Sequence, residues 1–380
     1  MSSAWLYLRL SGFYLFYFAS LGVMLPYWSL YLQFLGLAPA RIGELIAITL
    51  ITKVVAPNVW GWLADRLGRR MVIVRWACLA TAVFFAGVYF AGDSFVRLAV
   101  VMLLFSFFWN AALPQFEATT LNHLGANVHR YSTVRLWGSI GFIIAALLAG
   151  VLVQRHGVDI VPALLLGLFT ALWLNSLAAP EGTAAHSLAE HPPLMQVLRQ
   201  PPVPALLLVC FLNQASHGPY YAFFSIYLEE LGYDGDLIGG LWSLGVVSEI
   251  GVFLLMQRLL PRIGPRRLML ATMALTSLRW LLIGLAADRL PVLLFAQVLH
   301  AFSFGMYHAV SVYLFHRFFT GPNQGRGQAL YSSVSFGAGG AVGSFAAGYL
   351  WAGLGGANTF ILAAGAASLG LLTTWRGLRV

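Results

Sequence analysis

Seven ionisable side chains stand inside apolar stretches of this chain: Lys53, Glu117, Arg135, Glu249, Arg279, His300 and His308. A charge at the centre of a bilayer costs about 2.5–3.5 kcal/mol on insertion scales, so such residues line a cavity or find partners. A guanidinium offers planar, bidentate donors to a carboxylate or a pair of hydroxyls, and a neighbouring Glu keeps it oriented and compensates its charge when no ligand is bound. Arg135 and Glu117 are of those types, and a purely structural ion pair is the competing reading. Carboxylates and imidazoles in such places carry protons, a role open to Glu249 and Glu117 with help from His300. Arg279 is suited equally to holding these neighbours and to touching a ligand. For His308 a hydrogen-bonded helix histidine is the expected role. Lys53 is the only lysine, and it lies about 18 Å of helix from Arg41 at 1.5 Å per residue, a depth from which snorkelling is difficult.

The elements that must position these groups follow from composition. The chain of 380 residues is 59% hydrophobic and 9% charged, with mean hydropathy +0.79, so a water-facing surface cannot be covered with charge and the solvent must largely be lipid. A spanning helix needs about 20 apolar residues. Twelve such stretches are readable, near 10–34, 41–63, 71–91, 95–122, 131–154, 158–178, 203–230, 236–259, 267–287, 291–318, 326–352 and 356–375. The fold class expected is an all-α membrane protein. The first stretch lacks a small-residue cleavage site and reads as a retained helix. Net charge +9 comes from arginines scattered among short loops with no dense basic stripe, which argues against nucleic acid. With both termini cytoplasmic, the inside loops take fifteen arginines and the outside loops only Arg41, Arg97, Arg155 and Arg289, as the positive-inside bias demands. Cys78 and Cys210 lie in apolar helices as small hydrophobes and mark neither a disulfide nor a metal site.

Residues 179–201 are polar and proline-rich and read as a cytoplasmic linker between a bundle at 1–178 and a second at 202–380. A gapless shift of 196 residues superposes Ser20, Gly22, Ser29, Tyr31, Leu32, Leu35, Gly36, Ile42, Gly43 and Leu45 on identical residues from Ser216 to Leu241, and Arg66, Gly68 and Arg70 on Arg262, Gly264 and Arg266. That is a parallel internal repeat, expected of two pseudo-symmetric six-helix bundles. The shift also sets Lys53 opposite Glu249.

The segment Gly61-Trp62-Leu63-Ala64-Asp65-Arg66-Leu67-Gly68-Arg69-Arg70 resembles the signature loop of the major facilitator superfamily. Its Gly61, Asp65, Arg66, Gly68, Arg69 and Arg70 form a set able to latch one conformation, because the Asp can cap a helix or pair with Arg. The second copy has Pro261 where Asp65 would fall, so a weaker latch is expected there. Within the superfamily the chain is similar to the lactose-permease-like symporters, and most to the bacterial 3-phenylpropionate permease group, through Val134-Arg135-Leu136-Trp137-Gly138-Ser139, Leu241 to Glu249, Leu299-His300 and Tyr220-Tyr221. The resemblance implies substrate binding by Glu117, Arg135 and Phe142; Lys53, by its charge and depth, and Tyr220, by its aromatic ring, are further substrate-binding candidates read from the residues themselves. It implies proton coupling by Glu249, His300, Arg279 and Glu117, with Glu249 sharing Arg135. The family's acid one turn after the helix 10 histidine is replaced by Ser303. Its charge pair between helices 7 and 10 is replaced by Gln297 and by Asn213, Gln214, Ser216 and His217.

Three deep cations, Lys53, Arg135 and Arg279, face two deep acids, and proton loading neutralises one of those, so an anionic substrate restores balance. The expectation is a proton symporter for an aromatic monocarboxylate such as 3-phenylpropionate in a bacterial inner membrane, working by alternating access as a monomer. The alternatives are a sugar or nucleoside symporter and a transporter-like receptor. No enzyme motif, cofactor loop or metal-ligand spacing rises above chance.

Overall fold

A computed structural model describes residues 3–125, 130–181, 194–320 and 323–379. It is built from helices: α1 (Ser3–Phe34), α2 (Pro39–Leu67), α3 (Arg70–Phe85), α4 (Val88–Ala91), α5 (Phe95–Leu124), α6 (Tyr131–His156), α7 (Val161–Ala178), α8 (Leu194–Leu198), α9 (Pro202–Ser216), α10 (Gly218–Glu230), α11 (Gly235–Ile263), α12 (Pro265–Ala286), α13 (Leu290–Val298), α14 (Tyr307–Phe318), α15 (Gln324–Ser332) and α16 (Gly340–Gly377). Ten helical runs among the described residues are long and apolar enough to cross a membrane. The expected span 203–230 is two shorter helices that meet at His217. Pro219 has no N–H to continue the ladder there. The run from Gln324 to Gly377 contains a break at Gly355, whose φ of 77° is non-helical.

The repeat reaches the level of caps. α2 and α11 have bounds 196 residues apart. Each preceding helix ends in a left-handed glycine, Gly36 with φ 82° and Gly232 with φ 84°. The next residue's N–H then reaches back, Leu37 to Leu32 at 3.2 Å and Tyr233 to Leu228 at 2.9 Å, the closing bond of a Schellman cap.

The chain divides into two compact units. The first comprises Met1–Leu37, Val55–His186 and Asp234–Ser243. In it α1 packs on α6 and α7, and α3 on α5 and α7. Phe13 stacks on Phe116 at 3.7 Å, and Phe85 meets Trp28, Phe105 and Phe169. At Gly22 and Gly141 a Cβ would strike the backbone of Phe142 and Leu15 respectively, so α1 and α6 cross in backbone contact, as small residues permit in membranes. The second unit comprises Ala38–Val54, Ser187–Tyr233 and Leu244–Val380, with α9, α10 and α12 packed along α16. Two π-helical turns interrupt it, Ala301–Met306 and Ser333–Gly339.

Candidate functional site

In the second unit the sequence candidates converge. Arg279 of α12 is wholly buried, and all three of its guanidinium nitrogens donate hydrogen bonds. Nε reaches Ala296 O at 3.0 Å, Nη2 reaches Gln297 Oε1 at 3.0 Å, and Nη1 reaches both His300 Nδ1 at 2.8 Å and Ser303 Oγ at 3.0 Å. The guanidinium lies over the rings of Tyr220 at 4.3 Å and Trp280 at 4.5 Å. Tyr220 donates its hydroxyl to Gln297 at 3.2 Å. None of these acceptors is a carboxylate. The compensating charge sits one residue further on, where His300 Nε2 meets Glu249 Oε1 at 2.6 Å.

This chain fixes a tautomer. A guanidinium can only donate, so His300 Nδ1 accepts, and the single imidazole proton resides on Nε2, pointing at Glu249. The arginine behind the ring thereby sets which nitrogen is protonated, as the partner of any oriented histidine does. The element carrying His300 is shaped for this: the π turn beginning at Ala301 brings Ser303 under the guanidinium, and π turns occur frequently at functional sites. Asn213 of α9 donates to Ser303 O at 3.3 Å, and its own carbonyl engages His217 Nδ1 at 2.8 Å. The polar run on α9 is thus part of the scaffold around Arg279.

Lys53 is half-buried and enters none of the ion pairs among the described residues. Its backbone adjoins Gly337 of the second π turn, where a Cβ would touch Val54. His308 has the expected helix-histidine role, with Nδ1 2.9 Å from Tyr331 Oη.

The first unit holds Glu117, Arg135 and Phe142. Glu117 and Arg135 do not form the expected ion pair: among the described residues the carboxylate's partner is Tyr131, whose hydroxyl donates to it at 3.1 Å. Arg135 lies flat on Phe18, 3.8 Å from its centroid, with Tyr14 at 5.7 Å. The reason is the helix register. Tyr131 precedes Arg135 by one turn on α6 and takes the carboxylate, while Phe18 of α1 supplies a π face for the cation. Phe142 is buried on the same helix where it crosses α1. In the second unit Glu249 is bound to His300. Tyr220 is fully buried with its hydroxyl engaged by Gln297, so it belongs to the cage of Arg279.

The loop residues form a set of contacts in the first unit. Arg70 Nη2 pairs with Asp65 at 2.6 Å, and its Nη1 donates to Gln115 Oε1 at 2.9 Å. Gly61 faces Gln115, Arg66 covers the Trp62 ring at 4.1 Å, and Gly68 adopts φ 65°. Arg69 is exposed beside them. Sequence reasoning missed the adjoining contacts: Glu181 accepts from Met71 N at 2.9 Å at the start of α3, and Arg75 donates to Ala179 O at 2.8 Å at the end of α7. An acid at a helix N-terminus and a cation at a C-terminus both complement the macrodipole. Arg266, the repeat partner of Arg70, instead donates to Trp375 O at 2.7 Å, since Pro261 offers it no carboxylate.

Helices of this length and apolarity, enclosing ionisable groups that they hold in place, define a multi-pass integral membrane protein. The model of the MFS_1 like family matches residues 7–362, and the chain belongs to that family of major facilitator transporters. It is 32% identical to a "Probable 3-phenylpropionic acid transporter" of Escherichia coli (strain K12), over 93% of this chain and 92% of the relative. It is 29% identical to a maltose permease of Geobacillus stearothermophilus, over 89% and 86%. Among solved structures it is similar to the nucleoside transporter NupG, with TM-score 0.83, 17% identity and coverage of 100% of each chain. That likeness establishes the fold.

Proposed function

We propose that this transporter is a proton symporter that imports a small aromatic monocarboxylate, 3-phenylpropionate or a close analogue, by alternating access across a bacterial inner membrane. The observation that carries the reading is the hydrogen-bonded chain Arg279–His300–Glu249. With Nδ1 of His300 occupied by an Arg279 N–H, a second proton on the imidazole would force two donors together. An incoming proton therefore goes to Glu249. Once Glu249 is neutral, the deep cations Lys53, Arg135 and Arg279 outnumber the ionised deep acids by one more charge, and an anionic substrate restores the balance. Protonation and substrate binding are coupled in this way through one charge balance. The substrate carboxylate is assigned to Arg135, whose flat face is held by Phe18 and whose in-plane donors suit bidentate recognition. Lys53 is the second cation suited to an anion. Glu117 and Phe142 support Arg135 within the first unit, and Tyr220 supports Arg279 in the second.

The mechanism takes the chain as twelve spans in two six-helix bundles with both termini cytoplasmic. The count takes α9 with α10 as one span and divides the last run at Gly355, and the repeat of caps at a 196-residue interval favours it. The 32% identical relative named for 3-phenylpropionic acid favours the substrate class. A sugar is the second reading, favoured by the maltose permease relative.

Binding of labelled 3-phenylpropionate to the purified protein, with unlabelled maltose or unlabelled 3-phenylpropionate as competitor, separates the two. Displacement by the arylalkanoate alone is expected. Binding of labelled maltose with no arylalkanoate binding would overturn the assignment in favour of the sugar.

A further inference from the structure

The second unit carries a feature that the transport cycle does not use. α12 and α16 leave a groove of about 420 Å³ between them, lined by Leu270, Ser368, Leu371, Leu372 and Trp375. Ser368 is tied to Ser277 at 3.1 Å, which holds the deeper end of the two helices together. Trp375 is 58% exposed and sits in the last turns of α16, where an amphipathic ring marks the level of the headgroups.

One end of this groove is strongly cationic. Arg266 and Arg267 lie one turn before Leu270 on α12, and Arg376 lies one turn after Leu372 on α16, so the i, i+3 and i, i+4 spacing brings them to the groove's own faces. Arg376 is near the Trp375 ring, 6.0 Å from its centroid, and Arg266 Nη2 is bonded to Trp375 O. Arg266 Nε is shielded from solvent and has no hydrogen-bond partner among the described residues. The first-turn N–H groups of α12 add the positive end of a helix dipole. No acidic residue occurs in 250–287 or in 289–380, so neither of the two helices supplies an anion to these arginines.

We propose that this groove binds an anionic phospholipid, its phosphate held by Arg266, Arg267 and Arg376 and one acyl chain laid along Leu270, Leu371 and Leu372. The apolar trough matches a hydrocarbon chain. The arginine cluster matches a phosphodiester, and anionic headgroups are the characteristic ligands of basic pockets between transmembrane helices. The two features are joined by Trp375, so a single amphipathic molecule satisfies both.

Native mass spectrometry of the purified protein, titrated with phosphatidylglycerol or with phosphatidylcholine of the same chains, tests this. The wild type is expected to hold phosphatidylglycerol in preference. The exposed pair Arg267→Gln with Arg376→Gln is expected to lose that preference by on the order of tenfold, and Leu372→Trp, which fills the trough, is expected to weaken both lipids. Should the double variant fail to yield folded protein, Arg267→Gln alone is expected to lose about half of the effect on a logarithmic scale. Equal affinity of the wild type for the two lipids would overturn the proposal, as would an undiminished preference in the arginine variants. Unchanged lipid binding in Leu372→Trp would reduce the site to surface charge and overturn the groove. Displacement of bound lipid by inorganic phosphate would show a site for free anions instead.

Discussion

His300 has three neighbours that decide what it can do: an arginine that only donates, a carboxylate that accepts, and the serine that shares the arginine. Nε2, which carries the proton, lies 2.6 Å from Glu249 Oε1, and the imidazole cannot become a cation without disturbing Arg279. Replacing Glu249 by Gln is therefore expected to abolish gradient-driven accumulation while leaving substrate exchange at zero gradient, measured by counterflow; loss of both activities equally would assign Glu249 a structural role. Arg279→Lys keeps the charge but cannot serve Ala296, Gln297, His300 and Ser303 from one planar group. Arg135→Lys is expected to weaken 3-phenylpropionate binding by about 10- to 100-fold, the equivalent of about 1.5–3 kcal/mol for a charge-assisted bond, read by equilibrium binding. Unchanged affinity there would move the substrate carboxylate elsewhere. These residues were legible in the sequence because charge is rare in apolar helices. Their pairings were not, because spacing along one helix does not say which ring or carbonyl of another helix arrives first. Phe18 under Arg135 and Tyr131 on Glu117 are both outcomes of interhelical register.

The helices themselves were readable from hydropathy, and α2 and α11 fall where the repeat sets them. What escaped was local backbone chemistry: the break at His217 and the π turns after His300 and Ser332, none of which changes the apolar pattern. Two glycines test the element-scale account by melting temperature. At Gly218 a Cβ would strike the backbone of Gly343, so Gly218→Val is expected to destabilise strongly, whereas Gly167→Ala, which meets nothing within 4 Å, is expected to be near neutral. Equal effects would mean that the approach of α10 to α16 is looser than described. Gly68→Ala places a Cβ at φ 65° and is expected to cost about 1 kcal/mol. Because that residue ends α2 beside the Asp65–Arg70 pair, a shift in transport rate beyond the stability loss is the sign of a latch.

At the scale of the whole chain, the arginines bear on orientation more directly than any helix does. Exposed positions Asp93 and Arg199 fall on opposite sides of the membrane in the arrangement proposed. Asp93→Cys is expected to react with an impermeant thiol reagent in intact cells, and Arg199→Cys only after permeabilisation. The native cysteines Cys78 and Cys210 are buried and give little background. Labelling of both from outside would reverse or break the topology. The membership of a transporter family was legible because the loop motif and the repeat persist in residue identity, whereas the substrate depends on a few side-chain contacts that neither feature encodes.

The central claim is that Glu249 links proton entry to substrate entry. Proteoliposomes containing an internal pH dye, given external 3-phenylpropionate with no imposed gradient, test it most directly. The account predicts internal acidification faster than in protein-free vesicles for the wild type, and none beyond that background for Glu249→Gln, although the variant still exchanges labelled substrate. Acidification by Glu249→Gln at the wild-type rate would contradict it.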